Sequence, residues 1–90
     1  YVVPKNNATE NHHIYNRAIA SSIKTVESSF NDIVIKTYPG MANAIAVCVD
    51  QMALEGILGS VAGDDTILMV VRDPQTAQSL KNELKSSFGI

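Results

Sequence analysis

The chain has 90 residues, 46% of them apolar, and carries 7 Lys plus Arg against 9 Asp plus Glu for a formal charge of −2. That length makes one domain whose single core buries only about 60% of the unfolded surface, and the apolar content excludes a disordered or collagen-like chain. With no basic excess to neutralise phosphates the chain by itself is not expected to hold DNA, and no apolar run approaches the roughly 20 residues of a membrane span.

Taken in order, Tyr1-Val2-Val3-Pro4 and the polar stretch after it read as a linker remnant over 1–10, with one domain over 11–90. The chain starts on Tyr, so the expectation is a piece of a longer protein. Between His12 and Ser22 the apolar residues Ile14, Tyr15, Ala18 and Ile19 recur at helical spacing and predict an amphipathic leading helix. Ile23–Glu27 and Ile33–Tyr38 are β-branched runs around Ser28-Ser29-Phe30-Asn31-Asp32, which has the composition of a hairpin loop. Pro39-Gly40 breaks the second strand, and Met41–Met52 predicts a helix that is apolar almost all round and therefore needs cover on every side. Leu54–Ala62 and Thr66–Val71 are a second pair of strands around Gly63-Asp64, a two-residue hairpin signal. Asp73 caps a last helix with Pro74 at its first position, an apolar stripe of Ala77, Leu80, Leu84 and Phe88, and Gly89 at its end.

The expected architecture is therefore α+β: a leading helix, then ββα twice, forming a two-layer sandwich of a mainly antiparallel four-stranded sheet with its helices on one face. So small a core gains burial by oligomerising. The single Cys48 excludes an internal disulfide and a cysteine-cage metal site, and suits a reducing cytoplasm.

Gly63-Asp64-Asp65 places two carboxylates at a hairpin tip, where Gly is expected to supply a positive φ. Read from the residues alone, Asp64 is a turn residue and Asp65 a strand-edge solubiliser; the other reading is a site for a metal, an ammonium or a guanidinium. No spacing supplies the further ligands a metal needs. On the predicted central helix Asn43 and Asp50 are two turns apart and share a direction. A solvated face carries Lys and Glu, whereas between residues 41 and 52 only Asn43, Asp50 and Gln51 are strongly polar, so the pair reads as site lining. Pro39-Gly40 leaves a helix N-terminus whose N–H groups can receive a carboxylate. His12 and His13 read as surface, Cys48 as a buried hydrophobe, and Met41, Met52 and Met69 as packing. Lys24, Lys36 and Arg72 lie in or beside strands and suit ion pairing. None of these residues makes a catalytic constellation.

The string Lys36-Thr37-Tyr38-Pro39-Gly40-Met41-Ala42-Asn43-Ala44-Ile45, then Asp50, then Gly56-Ile57-Leu58-Gly59-Ser60-Val61-Ala62-Gly63-Asp64-Asp65-Thr66-Ile67, resembles the C-terminal domain of bacterial arginine repressors over roughly residues 30–90. Tyr1-Val2-Val3-Pro4 also resembles the linker that precedes this domain. The resemblance implies a winged-helix DNA-binding domain before Tyr1, and a domain that forms trimers pairing into hexamers, with L-arginine between the trimers. It implies arginine-binding roles for Asn43, Asp50, Ser60, Ala62, Asp64 and Asp65, with Ala62 acting through its backbone and Asp64 as the principal partner of the cation. Two positions depart from the pattern: Asn43 stands where several relatives carry a glutamine, and Ser60 replaces a frequent Thr while keeping the hydroxyl.

The function expected on this basis is arginine sensing by oligomerisation in a cytoplasmic transcription regulator of arginine metabolism. It involves no catalysis, no metal and no cofactor beyond L-arginine as corepressor, and operator DNA is reached only through the domain before Tyr1. One alternative is an α+β module for another cationic amino acid such as ornithine or lysine, which lacks the need for bidentate geometry. Another is a metal-assisted hydrolase using Asp50, Asp64 and Asp65.

Overall fold

The computed structural model describes residues 20–90. The predicted leading helix and both histidines lie outside the described residues, apart from that helix's last positions, where Ala20 is helical and Ser21-Ser22 form a turn. Two strands, β1 (Ile23–Ser29) and β2 (Asp32–Thr37), then form an antiparallel hairpin closed by Phe30 and Asn31 alone. The loop is shorter than its Ser-rich composition predicts, because Ser28 pairs with Ile33 and Ser29 with Asp32. Ladder bonding satisfies backbone groups that a loop would leave to water. Phe30, at φ 51°, makes the tight turn possible.

Helix α1 (Ala42–Gln51) follows, and β3 (Ile57–Ala62) and β4 (Thr66–Val71) form the second antiparallel hairpin. The third strand begins later than the predicted Leu54, because Ala53 at φ 51° and Gly56 at φ 94° turn the chain first. Helix α2 (Pro74–Phe88) begins and ends where its sequence signals place it. The Asp73 carboxylate accepts the Thr76 N–H at 2.7 Å, Pro74 occupies the first turn, and Gly89 closes the helix in the left-handed region.

The four strands lie in the order β1-β2-β4-β3, with every neighbouring pair antiparallel. Period-two alternation sends Val26, Ile33, Ile35, Ile67, Met69 and Val71 to one face, where all are buried. Both helices pack on that face, α1 over β3 and β4, and α2 over β1, β2 and β4. Helix α2 buries the predicted stripe of Ala77, Leu80, Leu84 and Phe88, while α1 buries Ala42, Ile45, Cys48 and Val49. Burial also pushes the Cys48 thiol up, so it packs as a small hydrophobe, as expected. The fold is thus the expected α+β sandwich, and its other sheet face, with Val34, Val61, Leu68 and Val70, is left open among the described residues.

Two outcomes follow for stability. Leu84→Ala, which opens a void in the fully buried α2 stripe, should cost about 2–5 kcal/mol in urea denaturation, whereas Ser87→Ala on the exposed side should stay within about 0.5 kcal/mol. Hydrogen bonds from the Thr76 side chain and then its backbone N–H hold the Asp73 carboxyl below its ordinary value. A depressed folded-state pKa contributes stability that is present above the unfolded value of 3.8 and lost as pH falls through the folded one. Asp73→Asn keeps a cap that does not titrate, so the gap in Tm between wild type and Asp73→Asn should shift in the variant's favour on acidification below pH 3.8.

Candidate functional site

The acidic tip is built by the backbone. Gly63, Asp64 and Asp65 join β3 to β4, with the Gly63 N–H donating to the Thr66 carbonyl at 2.8 Å. The loop is the three residues left between the expected strand ends, although Gly63-Asp64 reads as a two-residue turn signal, and Gly63 does not adopt the expected positive φ. The glycine that does so here is Gly40, at φ 83°, just before α1. Helix α1 needs such help, because its N-cap residue is Met41, which has no side-chain oxygen to offer the orphan N–H groups. The Asp64 carbonyl takes that role, accepting the Gly40 N–H at 3.0 Å and the Ala42 N–H at 3.3 Å. The Asp65 carbonyl accepts the Thr37 N–H at 2.8 Å. Two successive carbonyls of the tip are therefore bound to the end of β2 and to the start of α1.

With its backbone turned inward, Asp64 is exposed, and its carboxylate makes no hydrogen bond or ion pair among the described residues. Asp65 is half-buried, and its Oδ1 accepts the Thr66 hydroxyl at 3.0 Å. Lys36 Nζ in turn donates to Thr66 Oγ1 at 2.9 Å. Neither Lys36 nor Thr66 was among the candidate site residues. The signal available for them was a hydroxyl directly following a carboxylate at the start of a strand.

The remaining candidates lie along one flank. Asn43 sits in the first turn of α1, beside the amide that donates to Asp64. Asp50 points within about 20° of the same direction, about 10 Å further along the helix axis. Both are exposed, on the side of α1 turned away from its buried stripe. The helix thus has cover from its own sheet on one side only, and Ala46 and Val47 flank the polar pair half-buried. Ser60 and Ala62 lie on the helix-side face of β3, opposite Met69 and Ile67, with Ser60 exposed at the sheet edge. The chain therefore brings Asn43, Ala62, Asp64 and Asp65 to one end and sets Ser60 and Asp50 further from it. No three His, Cys, Asp or Glu side chains gather as a metal set among the described residues. Nor do the six candidates line the 610 Å³ groove, which lies at the far end of β4 between Met52, Leu54, Arg72, Thr76 and Leu80.

A helix start capped by a hairpin carbonyl, in an all-antiparallel ββα pair, defines a small two-layer α+β domain. Residues 19–86 match the family model described as the arginine repressor C-terminal domain. The chain is 40% identical over 70 residues to an arginine repressor of Thermotoga maritima, covering 78% of this chain and 46% of that protein. It is 39% identical over 88 residues to one from Phocaeicola vulgatus, covering 93% and 56%, and 37% identical over 68 residues to one from Bacillus subtilis, covering 76% and 46%. It belongs to the arginine repressor C-terminal domain family. The chain spans about half the length of these relatives.

Gly40→Ala meets no atom within 4 Å, so its cost comes from the backbone alone. Placing an L side chain at φ 83° should destabilise the fold by about 1–2 kcal/mol in urea, while Asp64→Asn, which keeps the capping carbonyl, should stay within about 0.5 kcal/mol.

Proposed function

We propose that this chain is the arginine-sensing and oligomerisation domain of a cytoplasmic transcription repressor. One observation carries the reading: the hairpin tip is held by its carbonyls against the end of β2 and the start of α1, which leaves the Asp64 carboxylate exposed and, among the described residues, unpaired. A carboxylate whose backbone is fixed and which faces outward suits a cation brought to it by another subunit. A guanidinium meets it with two parallel charge-assisted hydrogen bonds, which distinguishes arginine from lysine or ornithine. One chain presents only part of a binding site, so the ligand's remaining contacts come from a partner.

The outer side of α1 supplies a surface for that partner, with Ala46 and Val47 between Asn43 and Asp50. The open sheet face supplies another, where Val61 is 68% exposed and lies across from Leu68 and diagonal to Val70. A trimer that covers the sheet face, and a pairing of trimers that covers the α1 side with arginine between them, account for both surfaces. Arginine bound only by the assembled hexamer stabilises it by mass action. The hexamer then presents DNA-binding domains to operator DNA, which this acidic chain does not itself contact.

Removing one partner of a desolvated ion pair costs about 3–5 kcal/mol, or roughly two to four decades of affinity. Calorimetry should therefore show arginine binding to wild type and none measurable to Asp64→Asn, with citrulline binding wild type poorly because it leaves the carboxylate without a cation. Sedimentation velocity on dialysed protein should show arginine moving trimers towards hexamers. An Asp64→Asn variant that binds arginine within threefold of wild type would return Asp64 to the role of a turn residue. Specific operator binding by residues 1–90 in a mobility-shift assay would contradict the division of labour.

A further inference from the structure

We infer that Lys36 and Thr66 act as a positioning relay for Asp65, setting its carboxylate before a cationic ligand arrives. The inference rests on the reading of the tip as an arginine site and gives the two neighbouring carboxylates different mechanical states. Among the described residues, Asp64 is anchored through its carbonyl alone. Asp65 is anchored through its carbonyl, by the Thr37 N–H, and through its side chain, by the Thr66 hydroxyl.

The chemistry of a hydroxyl makes the relay directional. Thr66 Oγ1 carries one proton and two acceptor lone pairs. An ammonium has no lone pair, so Lys36 Nζ at 2.9 Å occupies an acceptor position of the hydroxyl. The hydroxyl proton is then free to point only at another acceptor, and Asp65 Oδ1 lies 3.0 Å away. Lys36 and Thr66 are cross-strand partners on the open face of β2 and β4, so the sheet register itself holds the two side chains together. With one lone pair of Oδ1 taken by Thr66, Oδ2 and the second lone pair of Oδ1 are left to meet a ligand, in directions set by the sheet. Without the relay the Asp65 side chain samples its staggered wells and must be ordered at the moment of binding.

The relay predicts a result opposite in sign to that of simple charge. Lys36 is a cation near a site for a cation, so through-space repulsion alone predicts that Lys36→Met tightens arginine binding. A relay predicts that it weakens binding, because Thr66 is released to rotate. Calorimetry on the full chain should show about a threefold loss for Lys36→Met and about a tenfold loss for Thr66→Val, the range expected when one side chain must be ordered on binding. Lys36→Arg and Thr66→Ser, which keep the donor and the hydroxyl, should bind within about twofold of wild type by the same measure. The double variant Lys36→Met with Thr66→Val should bind no more weakly than Thr66→Val, since the lysine acts through the threonine. In ligand-free protein, side-chain coupling constants at Asp65 should report one χ1 well in wild type and averaging in Thr66→Val.

Binding that is unchanged or tighter in Lys36→Met, or within twofold in Thr66→Val, overturns the relay while leaving the ligand reading intact if Asp64→Asn still abolishes binding. A wild-type protein that binds no arginine overturns the ligand reading and the relay's purpose together, even where the coupling constants show Asp65 fixed. Circular dichroism of each variant separates these outcomes from loss of fold.

Discussion

The Asp64 carbonyl accepts two N–H groups at the start of α1, from Gly40 and Ala42, and much of the molecule depends on that contact. A helix that begins on Met41 lacks a side-chain cap, and orphan amides near an apolar core must find an acceptor. The hairpin supplies it from residues far along the chain. The same contact turns the carbonyl of Asp64 inward and leaves its carboxylate outside. Capping and presentation of charge are thus one structural event, and the conformational freedom of Gly40 permits it.

Two ends of the sheet have distinct characters. At one end the tip, Thr37 and the first turn of α1 share backbone hydrogen bonds and gather Asn43, Asp64, Asp65, Thr66 and Lys36. At the other, Asn31 joins the β1–β2 hairpin to Val71 through both its side chain and its carbonyl, and the Arg72 N–H donates to Gly56. The latter end closes the core near the groove at Met52, Leu54 and Leu80 and carries Phe30 84% exposed at the hairpin tip. The polar chemistry of the former end therefore stands on a frame tied at both ends of β4, which limits how far Asp65 can shift relative to β2.

The distribution of apolar surface bears on the proposed assembly. Edge strand β3 exposes Leu58 at 71% and Val61 at 68%, while its helix-side residue Ala62 packs against the core. A strand whose outward side chains are apolar is an aggregation hazard in a monomer, and association into a defined oligomer covers it.

The sequence by itself determined the elements whose signals are local. Asp73, Pro74, the stripe from Ala77 to Phe88 and Gly89 define α2 to the residue, because caps and helical periodicity act within a few positions. Alternation in Thr66–Val71 likewise identified β4 and its buried side. The family pattern picked out Asp64 and Asp65, whose side chains are chemically distinctive. Local composition misjudged the length of the first hairpin turn, since ladder pairing of Ser28 and Ser29 outweighed their turn preference, and the conformation of the second, which turns without a positive φ at Gly63. Only the tertiary structure decided the order β1-β2-β4-β3, the cap from Asp64 to α1 and the pairing of Lys36 with Thr66. Strand order follows from collective burial of one sheet face, a carbonyl that caps a distant helix carries no mark of its residue type, and a cross-strand pair exists only once the register is set.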